Sequence, residues 1–212
     1  MSEAKRNPRR GYHHGNLREA LVAAALDLIA RKGPAGLTIA EAARAAGVSA
    51  AAPYRHFRDR DALLADVAER GFQSLRDRLE RAWNDARPEP VAAFRNTGFA
   101  YLAFAREEPA AYAAMFESGL THSEHPDLAR AADSAFDVLR RATEAVVASL
   151  PEEDRPPVGM MNFHIWGLSH GIADLFARGD GARRSLPMTP EELLEAGVLI
   201  YLRGLGVMGE RP

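Results

Sequence analysis

Gly47 is the residue that most narrows what this chain can fold into. It stands between two short segments, each opening on a residue able to cap a helix. Thr38-Ile39-Ala40-Glu41 fits a Thr-x-x-Glu capping box, and the helix it starts runs to Ala46. Ser49 can cap a second helix at once. The residue joining them must take the left-handed conformation that glycine adopts without a Cβ penalty. Two short helices so tightly joined describe a helix-turn-helix, over about residues 38–57.

The flanks extend this into a three-helix unit. Asn16 suits an N-cap, with Glu19 three residues later as a box-like partner. Leu17, Ala20, Leu21, Ala24, Ala25, Leu28 and Ile29 then recur at the spacing of one helix face, until Gly33-Pro34 ends the run. Asp59 can cap a further helix from Asp61 to about Leu79. Beyond it, proline-marked breaks separate helices expected near 90–107, 109–118, 127–149, 157–178 and 189–204. No segment shows convincing strand alternation, so the expected class is all-α.

Charge is distributed unevenly. The net charge is −2, yet residues 1–60 carry 11 Lys and Arg against 5 Asp and Glu, while the remainder carries 16 against 24. A basic head on an acidic body suits a head that meets a polyanion. Uneven scatter of charge is the bland alternative. There is no cysteine among the 212 residues, so disulfides, thiolate metal sites and thiol catalysis are excluded. The longest apolar run, Leu21 to Ala30, is short and interrupted by Asp27. It is too short for a membrane span and lacks the flanks of a signal peptide, which predicts a cytoplasmic protein.

The chemistry concentrates in Gly47 to Leu64, GVSAAAPYRHFRDRDALL. A segment offered to the major groove must be thin at its leading turn, and Ala50, Ala51 and Ala52 are. Tyr54, Arg55 and His56 then supply a hydroxyl, a guanidinium and an imidazole able to reach bases or phosphates. Arg58 and Arg60 flank the N-terminus of the next helix, a ready anion site. Singly, Tyr54 reads as packing, His56 as a cap and the arginines as solvated surface. Jointly they point to nucleic acid.

Over residues 15–64 the sequence resembles the DNA-binding domain of TetR regulators, through the helix-1 pattern and the Gly-Val-Ser, Tyr-x-His-Phe and Arg-Asp-x-Leu-Leu blocks. The resemblance implies that Thr38 binds a phosphate and that Ser49 and Ala50 begin the recognition helix. It further implies that Ala51 faces bases, Tyr54 bases or phosphate, and His56 a phosphate. Arg60 would occupy the place of a phosphate-binding lysine, with Phe57 and Leu63 in the core. Pro53 departs from the pattern, standing where relatives carry a larger aliphatic residue. It has no N–H to donate, so the recognition helix is expected to start tightly or irregularly.

The ends of the chain leave more open. Residues 1–14 form a basic arm with Lys5, Arg6, Arg9, Arg10, His13 and His14, which reads equally as a minor-groove contact or a solubilising tail. Residues 65–212 read as a helical ligand-binding and dimerisation domain. Met161, Ile165, Leu168, Ile172 and Leu175 make an apolar stripe beside Gly167 and Gly171, and Leu193, Gly197, Tyr201 and Gly204 repeat the pattern. Such glycine-notched helices, with His170 beside Gly171, suit a dimer interface, with intramolecular packing as the alternative. The order Trp166…His170-Gly171 resembles the WHG subclass of TetR regulators. Phe94, Tyr101, Tyr112, Met115, Phe116, Met161, His164 and Trp166, with Phe104 beside them, form either a cavity wall with polar handles or plain core. The resemblance, which implies a ligand cavity, favours the wall.

Other chemistry is sparse. His122 and His125 with Glu124 and Asp127 read as a solvated turn rather than a metal site. No nucleophile elbow, phosphate loop or nucleotide fingerprint is present. The reading is therefore a homodimeric, metal-free and cofactor-free repressor of a palindromic operator in double-stranded DNA, released by a small-molecule effector. A helical enzyme or ligand carrier is the rival, and lacks a convergent acid/base or metal set.

Overall fold

The computed structural model describes residues 17–177 and 187–204. Among the described residues all regular structure is helical. The α-helices are α1 Leu17–Lys32, α2 Ile39–Ala45, α3 Arg60–Trp83, α4 Pro90–Glu107, α5 Pro109–Phe116, α6 Pro126–Ala148, α7 Val158–Ala177 and α8 Pro190–Gly204. The basic arm at 1–14 and Asn16 lie outside the described residues.

Local chemistry starts and stops these helices as expected. Thr38 Oγ1 accepts from the Glu41 N–H at 3.2 Å, and Asp59 Oδ1 accepts from the Ala62 N–H at 2.8 Å. Gly33 and Gly47 take φ of 72° and 71°, conformations an L side chain rarely adopts. Four helices begin with proline at their first position, where its missing N–H costs nothing. Thr189 and Glu192 form a reciprocal capping box on α8: Thr189 Oγ1 accepts from the Glu192 N–H, and Glu192 Oε2 accepts from the Thr189 N–H. Glu19 is not free for a box of this kind, because Arg70 on α3 takes both its carboxylate oxygens at 2.5 and 2.6 Å.

α1 packs on α2, α3 and α5, burying Leu21, Ala25, Leu28 and Ile29. α3 packs on α6, α4 and α5, and α7 on α4, α6 and α8. α3 is longer than the sequence suggests. Leu63, Leu64 and Val67 at its start are buried, as are Phe72, Leu75 and Leu79 further along. One helix thus belongs to both the three-helix head and the C-terminal bundle.

Residues 49–57 differ most from expectation. They are not an α-helix: Ala50 to Ala52 form a turn, and Pro53–Arg55 one turn of 3-10 helix with no side-chain cap. Proline supplies the reason. The bond that an α-helix would draw from residue 53 to the Ser49 carbonyl has no donor, and the Ala52 N–H takes that carbonyl instead at 3.0 Å. The Pro53 carbonyl then accepts from both His56 and Phe57, at 2.9 and 3.0 Å. The Pro53 ring is itself buried, beside Phe57 at 3% exposure.

Candidate nucleic-acid interface and ligand cavity

The tight segment presents one polar face. Thr38, Ser49, Ala50, Ala51, Tyr54, Arg55 and His56 are all exposed, Tyr54 at 59%, while Pro53 and Phe57 turn inward. The structure therefore brings seven of the eight candidate DNA contacts onto the surface of the head. Their cations are not equally available. Lys32 is paired with Glu41 at 2.7 Å, and Arg58 with Asp59 at 2.8 Å. The Arg55 side chain has no hydrogen bond or ion pair among the described residues, which leaves its guanidinium free for a phosphate.

Arg60, the eighth candidate, works differently. Its Nε donates to the Leu37 carbonyl at 3.0 Å, Nη2 to the Pro34 carbonyl at 2.7 Å, and Nη1 to Asp61 Oδ1 at 2.6 Å. Those carbonyls lie in the connection between α1 and α2. The side chain is a clamp that closes the head, and only its remaining donors are left for an outside partner. A sequence pattern gives no sign of this, because the carbonyls lie 23 and 26 residues away.

The C-terminal bundle encloses a cavity of about 560 Å³ among α3, α4, α5, α6 and α7. Tyr101, Met115, Phe116 and Trp166 line it, as the sequence suggests. Phe94, Tyr112 and Met161 do not: each is at most 2% exposed and serves as packing. His164 is on the outer surface, with Nδ1 3.2 Å from the Tyr201 hydroxyl. Sequence reasoning missed Phe72, Leu75 and Leu79, which look like ordinary core on the long α3, and Asp133 and Phe136 on α6. It also missed His122, whose ring meets Phe72 edge-on at 6.3 Å. Among the described residues no three acidic or histidine side chains are grouped to hold a metal.

At the inner wall a polar cluster ties the cavity to α7. His170 Nδ1 lies 2.8 Å from the Tyr101 hydroxyl and 2.9 Å from that of Tyr112. Its ring stacks on Tyr112 and on Trp166, at centroid distances of 5.6 and 5.3 Å. Burial drives the Tyr101 phenol far above its ordinary pKa, so it stays neutral and offers a hydroxyl rather than a charge. His170, expected at a dimer interface, instead faces this interior cluster.

The candidate interface glycines divide. A Cβ on Gly197 would come within 2.8 Å of Leu168 Cδ2, so that glycine serves the contact of α8 with α7 within one chain. At Gly167, Gly171 and Gly204 a Cβ would meet nothing within 4 Å. Tyr201 is half-buried and bonded to His164. With Met160, Phe163 and Leu175, which are 48%, 60% and 41% exposed, Gly167 and Gly171 form an apolar stripe along the outer face of α7. Ile200 on α8 is 72% exposed.

Comparison with known proteins decides what this arrangement belongs to. The family profile "Bacterial regulatory proteins, tetR family" matches residues 21–67, and "Tetracyclin repressor-like, C-terminal domain" matches residues 94–200, half of the chain. The chain belongs to the TetR family. Its matches place it among DNA-binding transcriptional regulators rather than enzymes; nothing in them assigns the WHG subclass. A Rhodococcus sp. RHA1 protein of unknown function is 32% identical, with a TM-score of 0.77 over 92% of this chain and 98% of the other. The TetR family transcriptional regulator PfmR of Thermus thermophilus is 22% identical, with a TM-score of 0.67 over 87% of this chain and 98% of that one. The fatty acid degradation regulator FadR of Bacillus halodurans shares the fold at 14% identity, with a TM-score of 0.71 over 90% and 97%. No protein of curated function matches. No helix among the described residues of this TetR regulator is long and apolar enough to cross a membrane.

Proposed function

We propose that this TetR regulator is a homodimeric repressor that leaves a palindromic operator when a small molecule fills the cavity. The observation that carries the reading is the continuity of α3. Its first turns are core of the DNA-facing head, and its Phe72, Leu75 and Leu79 are cavity wall. A ligand that moves α3 moves the head.

Thr38, Ser49 to Ala51, Tyr54, Arg55 and His56 are the DNA contacts in this reading, with Arg55 the phosphate-binding cation. The outer stripe of α7, with Gly167 and Gly171 at its centre, joins the two subunits. Phe163 belongs to both the stripe and the cavity wall, so occupancy of the cavity bears on subunit geometry as well. Two recognition segments would enter successive major grooves roughly 34–36 Å apart. An effector shifts that spacing only by binding one dimer geometry more tightly than the other.

Selection of bound duplexes from a random library, followed by fluorescence anisotropy with and without a cavity ligand, tests the proposal. The expected outcome is a two-fold symmetric site whose affinity falls when ligand binds. Operator DNA must then weaken the ligand by the same factor. Binding to a single half-site, or a cavity ligand without effect on operator affinity, overturns it.

A further inference from the structure

Asp133 stands apart from the other carboxylates of its helix. On α6, Asp127 is paired with Arg130, Asp137 with Arg140 and Arg141, and Glu144 with Arg140. The Asp133 carboxylate makes neither an ion pair nor a hydrogen bond among the described residues. It is exposed at the cavity wall, and that wall contains no lysine or arginine. Three aromatic rings of the same wall lie together. Phe136 lies 5.3 Å from Phe163 and 6.1 Å from Trp166, and Phe163 lies 6.5 Å from Trp166.

We propose that the cavity takes an amphiphilic monocation, an amine or quaternary ammonium on an apolar body. The body lies among Phe72, Leu75, Leu79 and Phe116, and the head rests between the Asp133 carboxylate and the faces of Phe136, Phe163 and Trp166. This deepens the proposed function and rests on its reading of the cavity as the effector site. An aromatic wall attracts a cation through the negative faces of its rings, and the unpaired carboxylate adds charge complementarity. A carboxylate ligand of the same shape would meet no lysine or arginine, with the His122 imidazole the only basic side chain on the wall, and would face Asp133 as a like charge. The hydroxyls deeper in, on Thr97, Tyr101 and Ser169, fit a polar group of either kind and do not alter the preference.

The test is calorimetric titration of the full-length protein with phenylhexyl-trimethylammonium, phenylhexanol and phenylhexanoate. The ammonium should bind most tightly and the carboxylate least. Asp133→Asn leaves the aromatic rings in place, so it should weaken the ammonium about two- to fivefold, the range of an exposed ion pair, and leave the alcohol unchanged. Asp133→Lys should reverse the order of ammonium and carboxylate. Asp133 is exposed, so both variants should melt as the parent does, which separates a charge effect from a folding defect. A carboxylate or alcohol that binds as tightly as the ammonium, an ammonium affinity indifferent to Asp133→Asn, or no binding by any of the three overturns the proposal. The operator assay on the same samples distinguishes the other failure. Ammonium binding that follows Asp133 but leaves operator affinity unchanged upholds the ligand class and removes the effector role.

Discussion

In the DNA-facing head, polar side chains close onto partners nearby: Thr38 onto Glu41, Asp59 onto the Ala62 N–H, Arg60 onto the carbonyls of Pro34 and Leu37, and Arg18 onto the buried Asp66 at 2.5 Å. Around the cavity the contacts are of another kind. Aromatic and aliphatic side chains from five helices meet there, polar partners are few, and Asp133 is left unpaired among the described residues. Directional bonds fix the head in one arrangement, because each has a narrow range of length and angle. Dispersion contacts around an internal space tolerate repacking, since no single contact is worth more than a few tenths of a kcal/mol. The difference fits the proposed division, with recognition in the head and conformational response in the bundle.

Arg60→Ala presses hardest on that comparison. It removes two charge-assisted bonds that close the connection between α1 and α2, and should cost about 3 kcal/mol of stability. Denaturant unfolding checks this, and DNA binding should fall in parallel. A variant as stable as the parent would mean that the clamp contributes nothing and that the head is held by its core alone.

Gly171→Leu addresses the outer face of the bundle. A Cβ there meets nothing within 4 Å among the described residues, so the isolated subunit should keep its stability. If the stripe on α7 is the seam between subunits, overpacking should cost the dimer about 2 kcal/mol, read by sedimentation. Gly197→Leu is the internal control, since it collides with Leu168 and should lower the melting temperature instead. A dimer unaffected by Gly171→Leu places the interface elsewhere.

What could be read from the sequence follows the same division. Caps, the glycine turn at Gly47 and the exposure of Tyr54, Arg55 and His56 depend on residues a few positions apart, so spacing reveals them. Pro53 announced an irregular start, though not that the whole segment would be a 3-10 turn, because its extent depends on how the buried ring packs. The cavity was only half legible. Phe116 and Trp166 were recognisable as candidates, but Tyr112 and Met161 share their composition and lie in solid core. Which aromatic borders a void is decided by the packing of five helices, and no local pattern encodes that. Gly197 and Gly171 made the point most sharply. Each sits in an apolar helical stretch, yet one faces Leu168 and the other open space.

Phe116→Trp sharpens the comparison from the cavity side. The larger ring should occupy part of the 560 Å³ space and raise stability by about 1 kcal/mol, as cavity-filling substitutions do. DNA affinity should be unchanged while the response to a cavity ligand is lost. A normal response in this variant would show that the effector binds away from Phe116.

Arg55→Ala is smaller and should leave stability alone, because its side chain has no partner to lose among the described residues. Binding should weaken on all duplexes alike, and the slope of log affinity against log salt should fall by about 1. An unchanged slope would mean that Arg55 is solvated surface, leaving phosphate contact to the paired cations of the head.

The smallest effect concerns acid. The Ala62 N–H that Asp59 caps, reinforced by Arg58 alongside, holds the Asp59 carboxyl below its ordinary value near 4. A group whose folded pKa is depressed contributes stability that is present above its unfolded pKa and lost as pH falls through the folded one. Asp59 is half exposed, so solvent screening keeps the contribution slight. Glu41 is lowered in the same direction by Lys32 and Thr38, and Glu19 by Arg70, so the head as a whole should soften in the same acid window. Asp59→Asn isolates one share of that change. Asparagine still caps the helix but does not titrate, so the variant should melt close to the parent at neutral pH and lose slightly less on acidification below pH ~4. Hydrogen exchange of the first-turn amides of α3, followed from neutral to acid pH in both proteins, reads this locally. Identical acid loosening in the two would show that the cap is held by geometry alone and that its charge does not strengthen it.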